Sequence, residues 1–339
     1  MKSDRRQFLG FLGLSFLATQ LKANAQNNSN NSVIIKPPAL EISDTIGLIN
    51  PAGEIEREDI NEIQEFLLES GFKIKLGKHI FDQYGYLAGS DENRAKDVNE
   101  MFADSEVKAL LTLRGGWGCN RILPLLNYDL IAQNPKIIMG YSDITSLLLA
   151  IYEKTGIITF HGAVGISTWN DFTINYIERI LIEKEVITLR NSPNTPVETI
   201  TSGKARGRIL GGNLSVLTSM IGSSYLPQWE NTILFVEEIG EDIYRIDRML
   251  TQLKLSGILE KISGFIFAQC TNCKDEEDTS PSLTLEQVLA DHIQPLNIPA
   301  WYGSMIGHIK DKFTIPVGLN VEIDADLGTI TMLESAVNN

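Results

Sequence analysis

"IIMGYSDITSLLLAIYEKTG", residues 137–156, reads as a short buried strand, a tight turn and an apolar helix. The turn carries Ser142, directly followed by Asp143 and the first turn of the helix. A hydroxyl at the top of a strand, just before a helix, resembles the turn that presents a nucleophile, although G-x-S-x-G is absent. Gly140 supplies the small residue two before the serine, and Ile144 stands where the second glycine would be. Taken alone, Ser142 can equally be an N-cap, with Asp143 favouring the positive end of the helix.

The same strand–helix rhythm extends to either side. "TIGLINPAG" (45–53), "FKIKLGKHI" and "VKALLTLRGG" (107–116) read as strands, and residues 57–71 and 91–104 as amphipathic helices. Alternation of these lengths predicts an α/β domain over 41–185, a mostly parallel sheet with helices on both faces. Residues 186–205, with two prolines and several Ser, Thr and Asn, break the rhythm and read as a linker. Residues 206–335 mix short strands with helices near 213–222, 241–256 and 284–294, which predicts a smaller α+β or barrel-like domain. Residues 26–40, rich in Asn and Ser and then in Pro, read as a flexible lead-in.

The first 25 residues pair a charged start with an apolar run from Phe8 to Ala18 and an A-x-A pattern at Ala23 and Ala25. That is a signal peptide, the run being too short to span a bilayer. Ser3, Arg5-Arg6, Phe8 and Leu9 match a twin-arginine export signal, which places the mature protein outside the cytoplasmic membrane. Without residues 1–25 the formal net charge moves from −14 to −17, because four positive charges and one negative charge leave. So acidic a chain is poorly suited to nucleic acid or anionic lipid. Three cysteines, Cys119, Cys270 and Cys273, argue against a disulfide framework, and Cys270-x-x-Cys273 lacks the second pair or nearby histidine that zinc needs. The four histidines show no metal-ligand spacing, so neither metal nor cofactor is expected.

A serine nucleophile needs a base, a group that orients the base, and donors for the oxyanion. "TILFVEE" (232–238) ends a strand on Glu237 and Glu238, whose side chains alternate to opposite faces; solvated strand-end acids are the plain reading of both. His308 follows Gly307 between two predicted strands and reads either as a surface histidine or as one reaching into a cleft. "LRGGWGCN" (113–120) ends a strand in Gly115-Gly116, a turn that exposes backbone N–H groups. No Lys-Ser/Thr follows these glycines, so this is not a nucleotide phosphate loop. Asn213, in "LGGNLSVL", reads as a helix N-cap.

Taken together and in order, "LRGGWG", "GYSDITSLL", "TFHGAV", "LGGNLSVL", "ILFVEEIGEDIYRIDRML" and "IGHIKDKFTIPVG" resemble the LD-carboxypeptidase family of serine peptidases, from about Thr45 to Met332. That family includes muramoyltetrapeptide carboxypeptidases and microcin C immunity peptidases. The resemblance implies a Ser142–His308–Glu237 triad, an oxyanion hole from the amides of Asp143 and of Gly115 or Gly116, and Glu238 as an outward-facing neighbour. It also implies a homodimer and a site between the two domains. For the substrate carboxylate and its surroundings, Arg114, Trp117, Arg206 and Arg208 are all candidates. The implied activity is removal of the terminal D-Ala from a murein tetrapeptide or related L–D peptide. The alternatives are a peptidase of aminoacyl-nucleotide conjugates and a non-catalytic muropeptide binder. The acidic stretch 270–287 is a candidate for setting substrate range.

Overall fold

The structure, a computed structural model, describes residues 34–274 and 281–339. The signal-peptide reading of 1–25, the start of the lead-in and part of the stretch 270–287 lie outside the described residues. In chain order the elements of the first half are β1 (Thr45–Ile49), α1 (Asn61–Glu69), β2 (Lys73–Leu76), α2 (Asp91–Ala103), β3 (Val107–Thr112), α3 (Cys119–Ile122), α4 (Tyr128–Gln133), β4 (Ile137–Gly140), α5 (Thr145–Thr155), β5 (Thr159–His161) and α6 (Asp171–Leu181). The second half continues with β6 (Thr188–Arg190), β7 (Glu198–Thr201), β8 (Lys204–Asn213), α7 (Leu214–Ser219), β9 (Thr232–Ile239), α8 (Ile243–Leu255), β10 (Gly264–Thr271), α9 (Leu285–Ile293), β11 (Ala300–Ser304), β12 (Ile315–Val317), β13 (Asn320–Asp324) and β14 (Thr329–Met332).

As predicted, this is an α/β protein built on parallel sheet. The first sheet runs β12-β5-β4-β3-β1-β2 and is parallel except for β12, which pairs antiparallel with β5. The second runs β6-β14-β13-β8-β9-β10-β11-β7, a parallel centre of β8 to β11 edged by antiparallel strands. Its strands outnumber those of the first sheet. Because β12 returns to the first sheet, the C-terminal half is not a wholly separate body, and the described residues cluster as one unit.

Residues 186–205, expected as a linker, do carry the chain from one sheet to the other, but they also contribute β6 and β7 at opposite edges of the second sheet. The β-branched residues around the prolines explain this: T-L-R and E-T-I-T find partners in β14 and β11, while Pro193 and Pro196 stay in the connection between them. The described part of the lead-in is pinned rather than loose, with bridges from Ile35 to Ile157 and from Pro38 to Asn338.

Helix α5 decides where the site lies. Every residue from Thr145 to Tyr152 is buried, as an all-round apolar helix must be. It packs on β4 and β5 on one side and on β8 and α7 on the other, so its N-terminus opens between the two sheets. A Cβ at Gly212 would stand 2.5 Å from Thr145 Oγ1, and the Asn213 amide donates to that hydroxyl at 2.9 Å. Asn213 is in register with Glu237 on β9. The first turn of α5 therefore fixes the end of β9.

Candidate active site

Ser142 follows β4 with φ of +65°, a left-handed conformation that non-glycine residues adopt at a cost of about 1–3 kcal/mol. Only glycine fits at 140, where a Cβ would meet Thr112 Oγ1 at 2.2 Å. Ile144, in place of the second glycine of the usual signature, packs its side chain against Gly140 instead. The strained turn is thus built without that signature. Tyr141 takes the cap position with no side-chain cap, and the Ser142 hydroxyl is bonded to His308. The N-cap reading of Ser142 does not hold.

His308 Nε2 lies 3.1 Å from Ser142 Oγ and Nδ1 lies 2.7 Å from Glu237 Oε2. A carboxylate only accepts, so Nδ1 carries the proton and Nε2 is free to accept the hydroxyl proton. Gly307 permits the approach: its φ is +98°, and a Cβ there would stand 2.3 Å from Glu237 Oε2. On the other side, Thr271 Oγ1 donates to the His308 carbonyl at 2.8 Å. Glu237 is 0% exposed. Burial would push its carboxyl up, but the imidazoles of His161 and His308 outweigh burial and hold it well below the usual carboxylate range.

Glu238 points to the opposite face, as strand alternation requires, but it is only 2% exposed and not a solvated neighbour. Its carboxylate accepts from Asn213 Nδ2 at 2.9 Å, from the Ser215 amide at 2.8 Å and from the Ile239 amide at 3.0 Å. Burial raises it to about 6 in spite of these donors. Glu238 thus holds Asn213, which caps α7 through the Val216 amide as predicted.

The Gly115–Gly118 loop lies against the serine. A Cβ at Gly115 would stand 2.9 Å from Ser142 Oγ and 3.4 Å from the Asp143 nitrogen, and Gly116 turns away with φ of +112°. No hydrogen bond among the described residues takes up the Asp143 or Gly116 amide, so both can serve an incoming oxyanion. Asp143 Oδ2 accepts the Cys119 amide at 2.8 Å and ties this loop to the turn. Arg114 stands beside Gly53, donates to the Glu54 carbonyl at 2.6 Å, and leaves its Nε without a partner. Trp117 is 60% exposed and meets Tyr86 edge to face.

Two substrate candidates fall elsewhere. Arg206 and Arg208 lie seven and five residues before Asn213 on β8, about 23 and 17 Å down the strand at ~3.3 Å per residue. Arg206 is paired there with Glu322 at 2.7 Å. A glycine motif that names the end of a strand says nothing about how far back along it a neighbouring arginine lies.

Four residues at the site escaped sequence reasoning. His161, at the end of β5, is 1% exposed, and its Nε2 lies 3.8 Å from Glu237 Oε1. Tyr141 sets its ring edge-on to His308 at 4.8 Å. Lys312, 3% exposed, places Nζ 5.3 Å over the Tyr141 ring, and burial pushes it down to about 8. Arg94, 1% exposed on α2, donates to the Pro51 carbonyl at 2.5 Å and the Gly118 carbonyl at 3.0 Å, clamping the two loops together. His161 and Lys312 lie within quoted motifs and Arg94 within a predicted helix, but a side chain's inward aim is set by tertiary packing.

Cys270 and Cys273 form a disulfide that brackets Thr271, and Cys119 is free and buried. The odd count ruled out a fully paired framework but not this single bond. Among the described residues no His/Cys/Asp/Glu cluster is arranged to hold a metal ion.

Residues 46–162 match the LD-carboxypeptidase N-terminal domain and residues 206–323 the LD-carboxypeptidase C-terminal domain. A probable murein peptide carboxypeptidase of Bacillus subtilis is 40% identical over 292 residues, 85% of this chain and 91% of that protein. Among solved structures, MccF in complex with glutamyl sulfamoyl guanosine superposes with a TM-score of 0.82 at 29% identity, covering 89% of this chain and 99% of that one. The muramoyltetrapeptide carboxypeptidase of Oxalobacter formigenes superposes with a TM-score of 0.75 at 28% identity, over 85% and 97% of the two chains. With both domains matched in order and the relatives spanned nearly end to end, the chain belongs to the LD-carboxypeptidase family of serine peptidases and is a carboxypeptidase.

Proposed function

We propose that this enzyme removes the terminal D-Ala from murein tetrapeptides by a serine acyl-enzyme mechanism. The observation that carries the reading is the relay Glu237–His308–Ser142 beside two open amides. His308 Nε2 takes the Ser142 proton as Oγ attacks the carbonyl carbon of the L-centre joined to D-Ala. Glu237 steadies the imidazolium, and the Asp143 and Gly116 amides take the oxyanion, each such donor being worth on the order of 100- to 1,000-fold in rate. His308 then protonates the leaving amine. A water, deprotonated by His308, attacks the acyl ester and restores Ser142. Arg114, beside the glycine loop and with its buried Nε unpartnered, is the candidate this reading favours for the terminal carboxylate.

The export pattern in residues 1–25 supports action next to peptidoglycan, and the family resemblance supports a homodimer. The likeness to MccF, solved with an aminoacyl-nucleotide analogue, supports a second reading in which the leaving group is a nucleotide conjugate. Relative kcat/KM on L-Ala–γ-D-Glu–meso-diaminopimelate–D-Ala and on glutamyl sulfamoyl guanosine separates the two. The tetrapeptide is the expected substrate. Turnover of the nucleotide conjugate alone would overturn the murein reading.

A further inference from the structure

Glu237 is completely buried, yet its Oε1 has no hydrogen-bond partner, and the equally buried His161 Nε2 facing it has none either. An unpartnered oxygen on a buried carboxylate is costly, and two such atoms aimed at one another 3.8 Å apart are an unusual pair to leave open. Closing to hydrogen-bond length needs a shift of only about 0.8 Å. Hydrogen bonds of catalytic groups are often long before substrate arrives.

We propose that His161 is a positioning residue for the triad: it carries its proton on Nε2 and donates it to Glu237 Oε1, fixing the carboxylate that orients His308. The inference rests on the Ser142–His308–Glu237 reading above. Since Glu237 is held in its ionised form, Oε1 can only accept. The imidazole has little freedom to do otherwise, with the Phe235 ring edge-on at 5.3 Å and Tyr141 at 6.1 Å. The placement also explains the need. Ser142 stands on the first sheet and Glu237 on the second, so their relative position is held only through contacts between sheets. His161 is on β5, in register with Gly140 just ahead of Ser142, and reaches across to β9. It ties the acid to the sheet that carries the nucleophile.

The rate at which a fluorophosphonate probe labels Ser142 tests this without reference to the peptide substrate. Wild type, His161→Phe, His161→Gln, Glu237→Gln and the Glu237→Gln/His161→Phe double variant are compared. Loss of such a supporting partner costs about 10- to 100-fold, so His161→Phe should label that much more slowly. His161→Gln, which keeps a donor, should recover most of the loss. In the Glu237→Gln background His161→Phe should cost nothing further, because a residue acting through Glu237 has no effect once that carboxylate is gone. Labelling of His161→Phe at the wild-type rate, or an equal further loss in the Glu237→Gln background, would overturn the proposal. If His161→Phe does not fold, His161→Asn, polar but too short to reach Oε1, takes its place with the same expectations. An unreactive wild type would instead sink the serine reading itself.

Discussion

Gly307 shows how much of the site hangs on single backbone positions. It combines a left-handed φ of +98° with a Cβ position that would fall 2.3 Å from Glu237 Oε2. Gly307→Ala cannot relieve the clash except by moving either the carboxylate or His308. A displacement near 1 Å in such a constellation costs on the order of 100-fold in rate. Strain of this kind costs only about 1–3 kcal/mol in stability. The variant should therefore be folded in a thermal melt and almost inactive in a kcat measurement. At this scale the sequence was legible in Ser142, Glu237 and His308, whose motifs name them, and in the Gly-Gly turn. His161 and Lys312 were not, because a histidine in "TFHGAV" and a lysine in "HIKDKF" carry no local mark of which way they face. Glu238 was misread as solvated for the same reason. Alternation fixes the face a strand residue takes but not whether helix α7 covers that face.

The elements bring these residues together through the N-terminal turn of α5. Thr145 Oγ1 is the acceptor for the Asn213 amide, and it is this bond that sets β8, and with it β9, against the Ser142 turn. Thr145→Val keeps the shape and removes the acceptor, leaving a buried N–H unpaired at about 1–3 kcal/mol. A urea melt should show that loss, and kcat should drop as the end of β9 shifts. The strands and helices around this joint follow from hydrophobic periodicity, which is why the alternating half was readable residue by residue. Edge strands β6 and β7 were not, since runs of three and four residues on either side of Pro193 and Pro196 acquire their structure only from the neighbouring strand.

The whole molecule records the site's buried charges in its pH dependence. Glu238 titrates near 6 in the folded protein against an ordinary carboxyl value of 4.5, so the unfolded chain releases this proton first as pH rises. Its contribution is then fully favourable below about 4.5 and is lost between there and about 6, amounting to roughly 2 kcal/mol. The stability difference between wild type and Glu238→Gln should shift by that amount between pH 4 and pH 7, with wild type relatively stronger in acid. Denaturant midpoints across that range check it. At this scale the parallel sheets and the two matched domains were visible in the order of six motifs, whereas the return of β12 to the first sheet was not. A three-residue strand next to a histidine turn gives no sign of which sheet it will join. The central claim, that Ser142 is the nucleophile of a murein LD-carboxypeptidase, is tested most directly by D-Ala release from the tetrapeptide, measured side by side for the wild type and Ser142→Ala. Release by wild type with none from the folded variant is the predicted result; equal release from both would contradict the account.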